Sequence, residues 1–408
     1  MTANSLEALK NAIDFKPQGD RAGNVTAGRG TLGGRALRVG LVENRFASGA
    51  IGADESERLV AMFKVAALEH APVVLHLDSA GAKVSEGLKA LGSFRALFHA
   101  GLDFAATGTP IVAVLGKNCY GGSSMLAHLA SRRLFNGFTQ LAMTGPAILA
   151  AQAGMNALDE AFRAMAEAAM SPAARSRANP ANTVWNGEDL GAWLASAIAG
   201  GGLDAVARHV ALGARLKEKA PVPEAVQRRD LEKIYPEGYE ATEDQGVLEG
   251  VGRRDGHAEA FIGLVNRKPV GASRAWRFAE HVWRHAQKPP AHLEVFLDAA
   301  THAARLEDEK VVLSEYIVDM SGALDALARK GTRVGLTIVG KAGGGIYVAL
   351  AAPAARVTSL YKAEIQVLPG AAVAAILGGT QEEKVPAFAD YRAAGVAEEE
   401  LKLGIVDG

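Results

Sequence analysis

The chain has 408 residues, of which 49% are hydrophobic and 22% are charged, so it can bury a substantial core and is not disordered. Its 44 basic and 45 acidic residues give a formal net charge of −1, which supports neither a nucleic-acid partner nor a membrane surface. Cys119 is the only cysteine, which excludes a disulfide framework and fits a reducing cytoplasm.

The first half of the chain predicts an α/β domain after a flexible start. Residues 1–34 are polar and glycine-rich, and we expect a flexible N-terminal arm there. Wholly apolar strands then alternate with helices, which is typical of βαβ units around a buried parallel sheet, so we expect domain 1 over residues 35–205. The predicted strands are 36–42, 73–77, 111–115 and 141–143, and the predicted helices are 54–69, 86–104, 123–130, 157–178 and 188–198.

The second half repeats this alternation after a charged segment. Residues 206–256 carry many charges and three prolines, and we expect a helical, charged linker. Domain 2 is expected over residues 257–408. Its predicted strands are 261–265, 293–297 and 334–339, and its predicted helices are 274–285, 307–328 and 346–352.

Four short blocks recur in the same order in both halves, roughly 220 residues apart. The LDSAGAK block that starts at Leu77 corresponds to LDAAT at Leu297. GKNCYGG at Gly116 corresponds to GKAGGG at Gly340, and MTGP at Met143 corresponds to VLPG at Val367. A GLVENR stretch before the first series corresponds to GLVNR before the second. The ordered spacing indicates two diverged copies of one fold.

Each copy ends a buried strand in an aspartate followed by small residues and later places a glycine turn before a helix. Small residues and helix N-termini leave backbone N–H groups accessible, and two such groups on one oxygen form an oxyanion hole suited to a thioester enolate. Tight packing is the alternative for either motif alone. The predicted catalytic residues are Ala80, Gly81, Gly121 and Gly122 in the first copy and Ala300, Thr301, Gly344 and Gly345 in the second.

Four side chains near these turns are candidate substrate-binding residues. Lys117 and Lys341 share a repeat position and could reach a carboxylate or a CoA phosphate, or could be solvated strand ends. Tyr120 and Tyr347 flank the glycine turns and could shape an acyl pocket or simply pack. Cys119 is interpreted as a packing residue, since no histidine partner can be assigned. Neither a phosphate-binding loop nor a metal-binding histidine pattern is present, so we expect no metal.

The motifs resemble those of the crotonase-type carboxyltransferase superfamily. The first copy is similar to the β subunit of biotin-independent malonate decarboxylase, which has LDSGGVR, GxxCxGG and LSGP motifs. The second copy is similar to the γ subunit, with YGKAxSG and AEVxVMP motifs, which here read VGKAGGG and AEIQVLP. Ala80 and Lys83 depart from the family's glycine and arginine.

This resemblance implies two tandem crotonase-like ββα-superhelix domains and a β–γ fusion. It also implies decarboxylation of a malonyl thioester, carried by CoA or by the phosphopantetheine arm of an acyl carrier protein, to an acetyl thioester and CO2. No Met-Lys-Met biotinylation sequence occurs, so no biotin is expected on this chain. The family further implies a homo-oligomer and other decarboxylase subunits as partners.

Two other functions remain open at this point. The chain could be a carboxyltransferase subunit that acts with a separate biotin carrier. It could instead be a non-catalytic subunit that binds a carrier protein, which the altered Ala80 and Lys83 positions favour.

Overall fold

The computed structural model describes residues 5–153, 160–217, 222–360, 363–368, 392–394 and 404–407. The chain divides into two compact units. Unit 1 comprises Met1–Asp204, Ala304–Glu315 and Ala371–Gly378, and unit 2 comprises Ala205–Ala303, Tyr316–Gly370 and Gly379–Gly408. Each unit has its own sheet flanked by helices, so the predicted α/β architecture with two tandem domains is confirmed.

Unit 1 contains a sheet with the strand order β1-β2-β3-β4-β5-β6-β8, and β7 also pairs with β5. The β2–β3 pair is an antiparallel hairpin, and β3, β4, β5 and β6 run parallel. The strands are β1 Lys16–Pro17, β2 Val25–Leu32, β3 Arg35–Val42, β4 Val73–Ser79, β5 Ile111–Tyr120, β6 Arg132–Phe135, β7 Gln140–Ala142 and β8 Asn182–Val184.

Unit 2 contains a sheet with the order β16-β14-β13-β12-β11-β10-β9 and a small sheet β15-β17-β18. Here β11–β12 is the antiparallel hairpin, and β12, β13, β14 and β16 run parallel. The strands are β9 Glu224–Ala225, β10 Tyr239–Asp244, β11 Val247–Arg254, β12 His257–Leu264, β13 His292–Leu297, β14 Arg333–Ile338, β15 Lys341–Gly343, β16 Arg356–Ser359, β17 Glu364–Gln366 and β18 Arg392–Ala394.

The helices connect these strands in the predicted alternation. Each parallel strand pair needs a crossover, and helices supply it. The helices are α1 Ser5–Ala12, α2 Ala53–Glu69, α3 Gly87–Ala105, α4 Gly122–Ala127, α5 Pro146–Gln152, α6 Glu160–Met170, α7 Pro172–Ala178, α8 Leu190–Ala199, α9 Ala205–Leu216, α10 Arg229–Ile234, α11 Ala272–His285, α12 Leu306–Lys310, α13 Leu313–Arg329 and α14 Gly344–Ala351.

The strand registers show that the two sheets are copies of one another. In unit 1, Val39, Val74 and Val112 lie side by side on three successive parallel strands. In unit 2, Phe261 lies beside Glu294 and Glu294 beside Gly335 on the equivalent strands. The pairing agrees with the sequence blocks to within one residue, since Val42 pairs with Leu77 in unit 1 and Leu264 pairs with Leu297 in unit 2.

One face of the unit 1 sheet is apolar and covered by helices. Alternate residues of β3, β4, β5 and β6 form a buried cluster with α1 and α8, because alternate side chains of a strand point to the same face. The strand members of the cluster are Leu37, Val39, Leu41, Val74, Val112, Val114 and Leu134, and the helical side contributes Leu9, Ile13, Leu190, Leu194, Ala197 and Ile198.

Residues 1–34 differ from the predicted flexible arm. Residues 5–12 form α1, which packs on the sheet through Leu9, and β2 pairs with β3 along its whole length. The prediction failed because β2 reads VTAGRGTL, a mixed sequence without the apolar run that indicates a central strand. Residues 1–4 lie outside the described residues.

Residues 206–256 also differ from the predicted linker, because they supply α9 and α10 and the strands β9, β10 and β11 to unit 2. Charges are frequent in these strands because most residues of β10 and β11 are partly or fully exposed. The structure places the boundary between the units at Asp204 and Ala205 rather than at a separate linker.

Candidate active site

In unit 1 the loop after β4 lies against the glycine turn that begins α4. Gly81 has a φ of +102°, and a Cβ added there would lie 2.9 Å from the Tyr120 carbonyl oxygen and 3.3 Å from the Gly122 nitrogen. Gly121 has a φ of +56°, which favours glycine, and its N–H donates to the carbonyls of Ala142 and Met143. The structure therefore brings together the predicted residues of the first copy, which are some 40 residues apart in sequence.

The amides in this loop are not all available to a ligand. The Ala80 N–H donates to the Ser48 carbonyl at 2.8 Å, and the Gly81 N–H donates to the Ser79 hydroxyl at 3.0 Å. The Gly122 N–H, at the first position of α4, has no acceptor among the residues that the structure describes. Gly122 is therefore the available donor of the predicted set, and the amides of Ala80, Gly81 and Gly121 hold the loop and the turn in place.

The aspartate of each repeat motif shapes the backbone. Asp78 accepts a hydrogen bond from the Asn118 N–H at 3.1 Å, and Asp298 accepts one from the Lys341 N–H at 2.8 Å. A Cβ on Gly116 would lie 2.4 Å from Asp78 Cβ. In the second copy, a Cβ on Gly340 would lie 2.4 Å from Asp298 Cγ, so both positions require glycine. The paired Asp and Gly thus fix the turn that leads to each glycine motif.

The two candidate lysines do not occupy the same position. Since Asn118 and Lys341 make the same contact to the motif aspartate, Lys341 is equivalent to Asn118, and Lys117 is an extra residue in the first copy. Lys117 is exposed, whereas Lys341 Nζ lies 3.0 Å from Glu364 on the neighbouring strand. The predicted equivalence of the lysines is corrected by this one-residue shift.

The two candidate tyrosines have packing roles in the structure. The Tyr120 hydroxyl donates to the Gln140 side chain, and its half-buried ring packs against a buried cluster that includes Ala142 and Met170, so burial raises the pKa of Tyr120. Tyr347 is fully buried, and its hydroxyl donates to the Ile405 carbonyl at 2.6 Å.

Unit 2 brings its own predicted residues together in the same way. A Cβ on Gly343 would lie 2.6 Å from the Ala300 carbonyl oxygen, and a Cβ on Gly344 would lie 3.6 Å from the Thr301 hydroxyl. Gly344 has a φ of +50°, close to the φ of Gly121, and Gly345 follows it inside α14. The proline and glycine of the VLPG block, residues 369–370, lie outside the described residues.

His302 is a buried group that the sequence did not single out for this loop. Its Nδ1 lies 3.3 Å from the Thr301 hydroxyl, and burial lowers the pKa of His302 to about 4. The imidazole is therefore neutral at pH 7 and can both donate and accept a hydrogen bond.

Glu309 is a second such residue, and it belongs to unit 1 although it follows the second-copy motif in sequence. Its buried carboxylate accepts hydrogen bonds from the N–H groups of Met143 at 3.2 Å and Thr144 at 2.7 Å. Burial raises the pKa of Glu309 to about 7, and the Arg175 guanidinium and these amides oppose the shift. Because Met143 also accepts from Gly121, Glu309 supports the backbone behind the glycine turn.

Other chemistry is limited in the described residues. Cys119 is fully buried, and burial raises the pKa of its thiol to about 12, which makes it a poor nucleophile. No cluster of three or more histidine, cysteine or acidic side chains in the described residues could hold a metal ion. Within the same residues no helix is both long and apolar enough to cross a membrane.

Residues 9–169 match the carboxyl transferase domain family, which confirms the resemblance for the first copy. The chain is 27% identical over 133 residues to the methylmalonyl-CoA carboxyltransferase 12S subunit of Propionibacterium freudenreichii subsp. shermanii, covering 33% of this chain and 25% of that protein. It is 36% identical over 95 residues to the acetyl-coenzyme A carboxylase carboxyl transferase subunit beta 1 of Roseiflexus castenholzii, covering 23% of this chain and 32% of that protein. The chain thus spans a minor part of these relatives.

Two solved structures are similar at a lower level. A Pseudomonas malonate decarboxylase hetero-tetramer in complex with malonate aligns with 18% identity and a TM-score of 0.47, covering 54% of this chain and 90% of that chain. A transcarboxylase 12S structure with methylmalonyl-coenzyme A and methylmalonic acid bound aligns with 17% identity and a TM-score of 0.40, covering 98% of this chain and 85% of that chain.

Proposed function

Because residues 9–169 match a carboxyl transferase domain, we propose that this chain stabilises the enolate of an acyl thioester as a carboxyl group leaves its α carbon. The substrate is a malonyl-type thioester on CoA or on an acyl carrier protein, and the products are an acetyl thioester and CO2. No biotin takes part in this proposal.

The chemistry needs little more than well-placed amides. The bond between the α carbon and the carboxylate breaks, its electron pair moves to form the enolate, and negative charge develops on the thioester oxygen. A backbone N–H group fixed in a dry site stabilises that charge more in the transition state than in the ground state. Protonation of the α carbon completes the acetyl thioester.

One observation carries the proposal: the Ala80–Gly81 loop lies against the Gly121–Gly122 turn, and the Gly122 N–H has no acceptor among the described residues. In unit 2 the Ala300–Thr301 loop meets the Gly344–Gly345 turn in the same manner. Within unit 1 we assign the Gly122 amide to the thioester oxygen, and within unit 2 we assign the Gly344–Gly345 turn to a carboxylate.

Two rival functions each have an observation in their favour. The relatives named above are carboxyltransferases, which favours carboxyl transfer between an acyl-CoA and a separate biotin carrier. The hydrogen bonds that occupy the Ala80 and Gly81 amides favour a carrier-binding subunit without catalysis.

The test is CO2 release and product mass from purified protein given malonyl-CoA, methylmalonyl-CoA or malonyl carrier protein. Acetyl or propionyl thioester formed with CO2 in the absence of biotin would support the decarboxylase and identify the acyl group. Carboxyl transfer that appears only with an added biotin carrier would support the transferase. Carrier binding without turnover in either assay would support the binding subunit.

A further inference from the structure

A groove of about 620 Å³ lies on one face of the unit 2 sheet, at the strands β13, β14 and β16. This volume is within the range of pockets that bind small molecules. Its floor is polar, because Thr337 and Thr358 lie side by side on neighbouring strands and the Glu294 carboxylate lies over Gly335 and accepts from the Thr337 hydroxyl. Ile234, Phe296 and Leu360 form an apolar part of the lining.

The equivalent face of unit 1 shows that a polar floor is not inherent in the fold. The register places Glu294 where unit 1 has Val74, Thr337 where it has Val114, and Thr358 where it has Leu134. In unit 1 these apolar residues are covered by α1 and α8. In unit 2 the same three positions carry oxygen atoms and border open space.

The charges around the groove favour an anion. Lys233, Arg333 and Arg356 line it, are exposed, and have no carboxylate partner among the described residues. The two lining carboxylates are already engaged: Glu259 with Arg254 at 3.1 Å, and Glu294 with the Thr337 hydroxyl at 2.7 Å and with His292. With Arg254, four lysine and arginine side chains line the groove against two carboxylates, which leaves it net positive.

We propose that this groove binds a phosphorylated small molecule of nucleotide size. The phosphate groups contact Arg333, Arg356 and Lys233, since guanidinium groups match phosphate oxygens in charge and geometry. The uncharged part of the ligand lies against Phe296 and Leu360. This site is separate from the glycine turns, and the inference does not depend on the proposed function.

The experiment is calorimetric titration of the full chain with ADP, inorganic phosphate and adenosine. We expect ADP to bind, phosphate to compete with it, and adenosine to bind at least ten-fold more weakly. The double variant Arg333→Gln/Arg356→Gln should weaken ADP binding at least ten-fold. Arg253→Gln, which removes an exposed cation of unit 2 outside the groove, should leave binding unchanged.

Circular dichroism of each variant checks that folding is unaffected. Absence of ADP binding, or ADP binding that the double variant retains, would overturn the proposal. Binding of a polyglutamate peptide in place of ADP would also overturn the proposal, because the groove would then be a binding surface for an acidic protein.

Discussion

The two units have separate sheets of similar topology, and the equivalent face of the two sheets differs in polarity and cover. In unit 1 that face is apolar and lies under α1 and α8, whereas in unit 2 the matched positions are polar and border a groove. Both sheets nevertheless share an antiparallel hairpin followed by three parallel strands, and both units have the glycine turns. Backbone features have therefore been retained where a surface has diverged, and the retained features mark the parts that position the turns.

The retained features have a simple physical basis. Each motif aspartate accepts a hydrogen bond from a backbone N–H of a later strand. It also lies so close to Gly116 or Gly340 that no Cβ would fit there. A substitution at either of these glycines would move the turn. A substitution on the sheet face would change the polarity of that face and leave the turn in place. The predictions below separate these two kinds of position.

The largest effect is expected from Gly81→Ala. The new methyl group would lie 3.3 Å from the Gly122 nitrogen and block the proposed donor, and loss of an oxyanion donor lowers kcat by roughly 100- to 1000-fold. Gly108→Ala is the matched control, because Gly108 also has a positive φ of +73° but no atom within 4 Å of its added Cβ. Steady-state CO2 release measures both variants, and equal rates would exclude the donor role.

The next effect concerns the covered face. Val114→Thr would bury a hydroxyl among apolar side chains in unit 1 and should lower the free energy of unfolding by about 1–3 kcal/mol. Thr358→Leu on the unit 2 face, at the position where unit 1 has Leu134, should cost less than about 1 kcal/mol, since Thr358 is only partly buried. Urea unfolding measures both, and a larger loss for Thr358→Leu would contradict the difference between the faces.

A smaller effect on turnover is expected from the second glycine turn. Gly344→Ala adds a Cβ 3.3 Å from the Val367 carbonyl oxygen at a positive φ, and the turn must shift slightly. We expect a loss of kcat of about ten-fold, or about 1.4 kcal/mol of transition-state stabilisation. Gly331→Ala, at a positive φ with no atom within 4 Å of its added Cβ, is the control. A loss in Gly344→Ala larger than that in Gly81→Ala would exchange the roles assigned to the two turns.

The smallest effect is a change in pH dependence at Glu309. Its pKa is about 7 in the folded chain and 4.5 in the unfolded chain, so the folded state holds the extra proton between these values. This contribution to stability is complete below about pH 4.5 and is lost as the pH rises through 7. Glu309→Gln should therefore gain stability relative to the wild type between about pH 5 and pH 8.

Urea unfolding at several pH values measures this slope. Glu307→Gln removes an exposed carboxylate of the same helix and should leave the slope unchanged. Parallel curves for the wild type and Glu309→Gln would contradict a raised pKa for Glu309.

Much of the fold could be predicted from the sequence because its central strands are largely apolar. The runs at 73–77 and 111–115 are typical of a sheet buried on both faces, and the repeated glycine motifs marked the turns that follow. The strands β2, β10 and β11 were missed because they lie near one end of each sheet, are partly exposed and have mixed sequences.

The site was predicted less completely than the fold. The glycine turns and the loops that contact them were identified, because each depends on a local motif. Glu309 could not be found, since it meets Met143 and Thr144 across more than 160 residues and has no motif of its own. The lysine equivalence failed because the extra residue Lys117 lies in a β-bulge, which a comparison of spacing does not resolve.

The most direct test of the account is a crystal structure of the chain with a non-hydrolysable malonyl-CoA analogue bound. The account predicts the carbonyl oxygen of the acyl group about 3 Å from the Gly122 nitrogen, beside Gly81, which is the distance an oxyanion donor requires. An analogue bound with its acyl group away from the Gly81 loop, and the Gly122 N–H unpaired, would contradict the account.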